Sequence, residues 1–210
     1  MMQIAIIGAT GSTGKELVRL ALEANYNVTI VVRNPERILF DENVNVLKGN
    51  VKDLESLQLA FKNIDFVISC FGPKNNRQVN NLLSIGASNI VKACESNAVK
   101  RFVFMSGFVQ ADYGELSFTT KLLMPFFRLI YKDSYNDKVK AEEAIQKSNL
   151  NWVIVRASGL KKAPPERKYV AGVKTKIHFV MLPYADCAKC LLDAIVEKKW
   201  TRQIINVGKI

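Results

Sequence analysis

An apolar run at residues 4–7 stops at Gly8, and glycines return at Gly11 and Gly14 before a helical pattern sets in at Lys15. A strand that turns this sharply into a helix leaves the first helical amides without partners, and the helix dipole adds partial positive charge at the same end. That end suits a diphosphate. Gly8 would supply the tight turn, Gly11 the close approach of backbone to ligand, and Gly14 the close packing of helix on strand. Thr10, Ser12 and Thr13 bring hydroxyls within reach of phosphate oxygens. The spacing GxxGxxG departs from the commoner GxGxxG, so the motif takes its weight from its setting: a strand before it, a helix over 15–24 after it, then a second β run.

The rhythm continues along the chain. Apolar runs at 28–32, 44–47, 66–71, 101–105, 152–155 and 203–207 read as strands, several of them continuous as in strands buried on both faces. Helical spacing appears at 54–62, 79–96, 137–148 and 185–198. Strands alternating with helices mean βαβ units, and right-handed crossovers make the result a Rossmann-like, doubly wound parallel sheet with helices on both faces. The 210 residues suit a single domain, 1–210, that buries about 70% of its unfolded surface and needs no staples.

Two segments break the pattern and are expected on the substrate side, at the carboxyl ends of the strands: 107–135, and a small C-terminal excursion at 157–182 containing Pro164-Pro165 and a basic cluster. Within the first, LSFTTKLLMPFFRLIY at 116–131 is strongly apolar, with Lys121, Arg128 and Lys132 on roughly one face. Three readings stay open for it: a flap over the substrate pocket, a dimer or partner surface, and an amphipathic helix on a membrane surface.

Thirty basic against 19 acidic residues give a formal charge of +11. The basic residues are scattered, without a long basic run or an aromatic-interleaved stripe, so nucleic acid is not expected as a partner. Cys187 and Cys190 form a CxxC, but in mid-helix, and with Cys70 and Cys94 they read as small apolar core residues. His178 is the only histidine, so no zinc set is available and no metal is expected. A serine–histidine triad would have to use that one residue. No secretory leader and no run of 18 apolar residues is seen, and the cytoplasm is the expected location.

Arg33 follows the second strand directly, where dinucleotide-binding folds read the adenosine ribose. An acidic residue there would accept from a 2′-OH, whereas an arginine suits a 2′-phosphate. Arg37 would be a second clamp. The expected cofactor is therefore NADP(H), with NAD(H) as the alternative. Taken with GATGSTG at 8–14, VVRNPER at 31–37, GNVKD at 49–53, RFVFMSG at 101–107, KAEEAIQKSNLNWVIVRASGL at 140–160 and YADCAKCLLDAI at 184–195, the whole chain resembles an atypical short-chain dehydrogenase/reductase. The resemblance is to the NAD(P)-binding, NmrA-like group that includes flavin and biliverdin-IXβ reductases.

What the resemblance implies is a dinucleotide lying across the strand ends, with nicotinamide near the ends of strands four, five and six. Gly8, Thr10, Gly11, Ser12, Thr13 and Gly14 match the family's phosphate loop, and Arg33 its 2′-phosphate residue. Asn50 and Val51 fall beside the adenine, with Asn50 standing where the family has Asp. Cys70, Phe71 and Gly72 fall on the loop flanking the nicotinamide ribose. Ser106 matches the serine ending strand five, and Lys140 the lysine of the helix before strand six; these two are the candidate catalytic residues.

Active members of the wider family pair that lysine with a tyrosine four residues earlier, but counting back from Lys140 gives Asn136. Tyr135 would point about 100° away. The family's Arg-Pro at the end of strand six reads Arg156-Ala157. Without the tyrosine, the expected activity is NADPH-dependent hydride transfer to a planar, electron-poor small molecule such as a flavin or quinone, to which solvent can supply the proton. A dinucleotide-sensing, NmrA-like regulator without turnover is the alternative, and a nucleotide-sugar epimerase or dehydratase a third reading.

Overall fold

Runs of β-branched and aromatic residues form the strands, and the amphipathic stretches between them form the helices. The structure, a computed structural model, describes all residues but 39–41, 74–78, 177, 179 and 210, and of Arg37 only the backbone. In chain order the elements are β1 (Gln3–Ile7), α1 (Ser12–Glu23), β2 (Asn27–Val32), β3 (Val44–Lys48), α2 (Leu54–Ala60), β4 (Phe66–Ser69), α3 (Leu82–Ser96), β5 (Arg101–Gly107), α4 (Phe118–Ile130), α5 (Lys132–Gln146), β6 (Trp152–Ala157), β7 (Leu160–Lys161), β8 (Val170–Gly172), β9 (Leu182–Pro183), α6 (Tyr184–Asp193) and β10 (Gln203–Gly208).

The main sheet runs β3-β2-β1-β4-β5-β6-β10-β8. Its first seven strands are parallel, and β8 closes the edge antiparallel to β10. The chain winds outward from β1 through β2 to β3, then crosses to β4 on the other side of β1. That reversal opens a crevice at the carboxyl ends of β1 and β4, where such sheets take ligands.

Period-two alternation divides the core into two layers. Ile4 and Ile6 of β1 face α1 and α6, meeting Leu17, Ala21, Ala188 and Leu191. Ala5 and Ile7 face the other way, toward Leu57 of α2, Leu83 and Ile90 of α3, and Ala141 and Ile145 of α5. Cys187 and Cys190 lie buried on the inner face of α6 and Cys94 on that of α3, all three as free thiols in the apolar clusters.

Several boundaries differ from the sequence reading. Helix α3 starts at Leu82 rather than 79, because Asn80 and Asn81 adopt left-handed backbone (φ +48° and +54°). Helix α5 starts at Lys132 rather than 137, following α4 with only Tyr131 between them. Helix α6 ends at Asp193 rather than 198. Just beyond that end, the buried Arg101 guanidinium donates to the carbonyls of Ala194 (3.0 Å) and Glu197 (2.9 Å), anchoring the turns that replace the last helical stretch. The excursion at 157–182 contributes short strands: β7 and β9 pair at Leu160–Leu182, and β8 joins the main sheet. Asp186 pins its middle, accepting from the amides of Glu166 (3.0 Å) and Arg167 (3.1 Å).

Candidate functional site

The loop between β1 and α1 is built by contacts that leave no room for side chains. Gly8 has φ +86°, and a Cβ there would stand 2.6 Å from the Phe71 amide nitrogen. A Cβ on Gly14 would overlap the Gly8 carbonyl oxygen and come within 2.7 Å of Ala9 Cα, so the first turn of α1 rests directly on the loop backbone. The Gly11 amide donates to the Gly8 carbonyl at 3.0 Å and closes the turn. Gly11 is also the N-cap of α1, where no side chain caps the helix and its first turn holds no acidic residue. Thr10 and Ser12 are exposed on this loop, whereas Thr13 is turned inward and buried. Bare amides, two free-standing hydroxyls and a favourable dipole form a cradle that fits a diphosphate.

Arg33 is exposed directly after β2, with no hydrogen bond or ion pair engaging it among the described residues. The side chain of Arg37 lies outside the described residues. Asn50 is exposed after β3, but its Oδ1 already accepts from the Lys52 amide at 3.1 Å, leaving the side-chain amide group as its free donor. The Val51 carbonyl accepts from Asn89 Nδ2 at 3.0 Å, which ties this corner to α3.

At the exit of β4 the loop offers backbone more than side chain. The Cys70 thiol points back at the Ile7 carbonyl, 3.3 Å away, and burial pushes it up to about 12, so it is not a nucleophile near neutrality. The Phe71 ring turns into the core, edge-on to Phe104 at 6.4 Å and seated over Gly86, where a Cβ would come within 2.6 Å of the ring. A Cβ on Gly72 would meet open space.

Polar residues cluster at the ends of β5 and β6. The Ser106 hydroxyl donates to Glu142 Oε1 at 2.6 Å, and the Arg156 guanidinium grips the same carboxylate through Nε (3.3 Å) and Nη2 (2.7 Å). All three are buried. Glu115 adds a second carboxylate 3.7 Å from Arg156 and accepts from Asn206 at 3.1 Å. Ser106 therefore comes to the candidate site with its proton committed, and can only accept from a ligand.

Lys140 does not reach this cluster; it is exposed on the outer side of α5. Lys138, two residues and about 200° earlier on the helix, takes the place expected of it. Its Nζ lies 3.1 Å from where a Cβ on Gly107 would be, at the carboxyl end of β5. Burial pushes its ammonium below the usual 10.5, with Glu142 one turn later opposing the shift. Beside it Gln110 is buried, its Nε2 donating to the Tyr135 carbonyl at 3.2 Å and its Oε1 without a partner among the described residues. Helical phase was the available signal: Lys138 shares the inward stripe of Ala141 and Ile145, and Lys140 does not.

Strand order, crossover and glycine cradle together define the dinucleotide-binding fold of the short-chain dehydrogenases/reductases. A family profile described as NAD(P)H-binding matches residues 8–198, and the chain belongs to that NAD(P)H-binding oxidoreductase family, within its atypical, NmrA-like group. The photosystem II assembly factor Ycf39 of Cyanophora paradoxa is 27% identical over 75% of this chain, which spans 46% of that factor's length. Among solved structures, a short-chain dehydrogenase/reductase from Veillonella parvula in complex with NADP superposes with a TM-score of 0.81 at 20% identity, covering 99% of this chain and 94% of the other. ChuY, an anaerobillin reductase from Escherichia coli O157:H7, does so with 0.77 at 17% identity, covering 99% and 97%.

Proposed function

We propose that this chain is an NADPH-dependent reductase passing a hydride to a planar, electron-poor acceptor such as a flavin, a quinone or a conjugated tetrapyrrole. The observation that carries the reading is the supply of protons around Lys138. Four residues before it stands Ser134, not tyrosine, and the neighbouring Tyr135 lays its ring against the Arg128 guanidinium, 5.1 Å from ring centre to Cζ. Among the described residues no phenol is hydrogen-bonded to Lys138 as the acid that ketone reduction would use. An acceptor with an electron-poor centre needs none, because solvent can complete the reaction.

A dinucleotide bound there would supply the hydride. In this reading the loop amides with Thr10 and Ser12 hold its diphosphate, and Arg33 faces its 2′-phosphate. Lys138 donates, and Gln110 Oε1 accepts, in hydrogen bonds that orient what lies over Gly107. Stopped-flow oxidation of NADPH with free flavin and with a simple quinone tests the proposal: turnover above the uncatalysed rate is expected, slower in Lys138→Met. Tight NADP binding without any oxidation would overturn it. That outcome would favour a dinucleotide-responsive binding protein, a reading supported by the similarity to Ycf39.

A further inference from the structure

Helix α4 presents an apolar face that the described chain does not cover. Phe118 (84% exposed), Leu122 (77%), Phe126 (62%) and Leu129 (73%) are spaced four, four and three apart, and so share one stripe of a helix about 20 Å long. Leu123 and Pro125 flank them, both exposed. The opposite side is committed to the domain. Thr120 and Met124 are buried, and the Phe127 ring meets Phe108 edge-on at 6.2 Å. Arg128 donates to the carbonyls of Val109 (3.0 Å) and Ala111 (2.8 Å) while its guanidinium sits between the rings of Tyr113 and Tyr135. Rolling the stripe inward would break all of these contacts, so the helix is held with its Phe and Leu side chains outward.

Charge selects the occupant. With Arg128 committed inward, Lys121 and Lys132 border the stripe, and residues 116–132 contain no carboxylate, in a chain of net charge +11. A second copy would bring like charge onto like charge around the same helix. A convex ridge of Phe and Leu with a cationic margin instead matches the boundary between anionic headgroups and acyl chains. We infer that α4 seats the protein on the surface of an anionic lipid bilayer. Attachment is peripheral, since no helix among the described residues is long and apolar enough to cross a membrane. Because α4 follows the carboxyl end of β5 and packs on residues 108–111, the seating brings the strand-end site close to the lipid.

The test is flotation of the whole chain with phosphatidylglycerol–phosphatidylcholine vesicles and with phosphatidylcholine vesicles alone, beside light scattering without lipid. The expected result is a monomer that floats with the anionic vesicles and far less with the neutral ones. The double variant Leu122→Ser/Phe126→Ser should float about tenfold less or worse. A Leu59→Ser control, equally exposed but on α2, should float like the wild type. Both variants replace exposed side chains, and unchanged melting curves confirm that they fold. Failure of the wild type to float would overturn the inference and leave α4 to an acidic protein surface. Undiminished flotation of the double variant, or a dimer that this variant splits, would overturn it as well.

Discussion

Glu142→Gln probes the polar cluster that links β5, β6 and α5. The carboxylate accepts from Ser106 at 2.6 Å and from Arg156 at 2.7 and 3.3 Å, in a site that buries all three residues. Gln keeps the shape and one acceptor oxygen. If that oxygen stays on Arg156 Nη2, the new NH2 faces Ser106, whose hydroxyl can turn to accept it. What is lost is the negative charge and the bond from Arg156 Nε, which the new NH2 faces as a second donor, leaving a buried guanidinium with Glu115, 3.7 Å away, as its remaining carboxylate. Removing one partner of such a pair costs about 3–5 kcal/mol, and the retained amide bonds place this case near 3. In a domain of this size that lowers Tm by about 6–12 °C. Urea and thermal melts read the loss directly. The companion pair Glu142→Leu/Arg156→Met removes both charges and should recover most of it. A loss below about 1 kcal/mol for Glu142→Gln would show that Glu115 or water neutralises Arg156, and the reasoning would fail.

Other perturbations follow from single observations. Gly14→Ala drives a Cβ into the Gly8 carbonyl and should weaken NADP binding by about tenfold or more by calorimetry; an unchanged Kd would mean that the loop absorbs the methyl. Arg33→Ala should weaken NADPH by about 30-fold, the equivalent of about 2 kcal/mol for a charge-assisted contact, and NADH hardly at all; equal losses would remove the preference for the 2′-phosphate. Asp137→Ala strips the start of α3 of its acceptor for the amides of Leu83 (2.8 Å) and Ser84 (3.0 Å) and should cost about 2–4 kcal/mol, with faster hydrogen exchange at those two amides as the local signature. Lys138 binds its proton less tightly in the folded state than in the unfolded one, so stability should rise with pH from the folded value up to about 10.5, and Lys138→Met should flatten that rise in urea melts.

The order of strands was legible because continuous apolar runs and glycine punctuation are local signals. The glycine turn between β1 and α1 was legible for the same reason, since Gly8, Gly11 and Gly14 answer steric demands within one loop. Contacts set by tertiary packing were not. The resemblance put Cys70 and Phe71 on a loop flanking the nicotinamide ribose, but it carried no sign that the thiol turns back to β1 or that the ring fills the space over Gly86, fifteen residues later. Arg128 read as part of a cationic face with Lys121 and Lys132; its hydrogen bonds to two carbonyls of the preceding segment turn it inward. Asn81 sits at the N-cap of α3 but makes no capping bond; the acceptor comes instead from Asp137, 54 positions after Leu83 on α5.

Helix α5 shows why the sequence reading chose Lys140, which is exposed, over Lys138, which lies beside Gly107. Its inward stripe carries Asp137, Lys138, Ala141, Glu142 and Ile145, so polar groups occupy most of the end nearest the strand termini and apolar ones fill the other. A search for apolar periodicity therefore finds only the later turns and starts the helix at 137. The polar end is nonetheless the part that joins the structure together. Asp137 holds α3, Lys138 stands over Gly107, and Glu142 couples the end of β5 through Ser106 to β6 through Arg156. Burying these groups costs desolvation that Ala or Leu would avoid. A helix needed only to cover a sheet would not carry that cost, and Lys138 and Glu142 bear it at the carboxyl ends of β5 and β6.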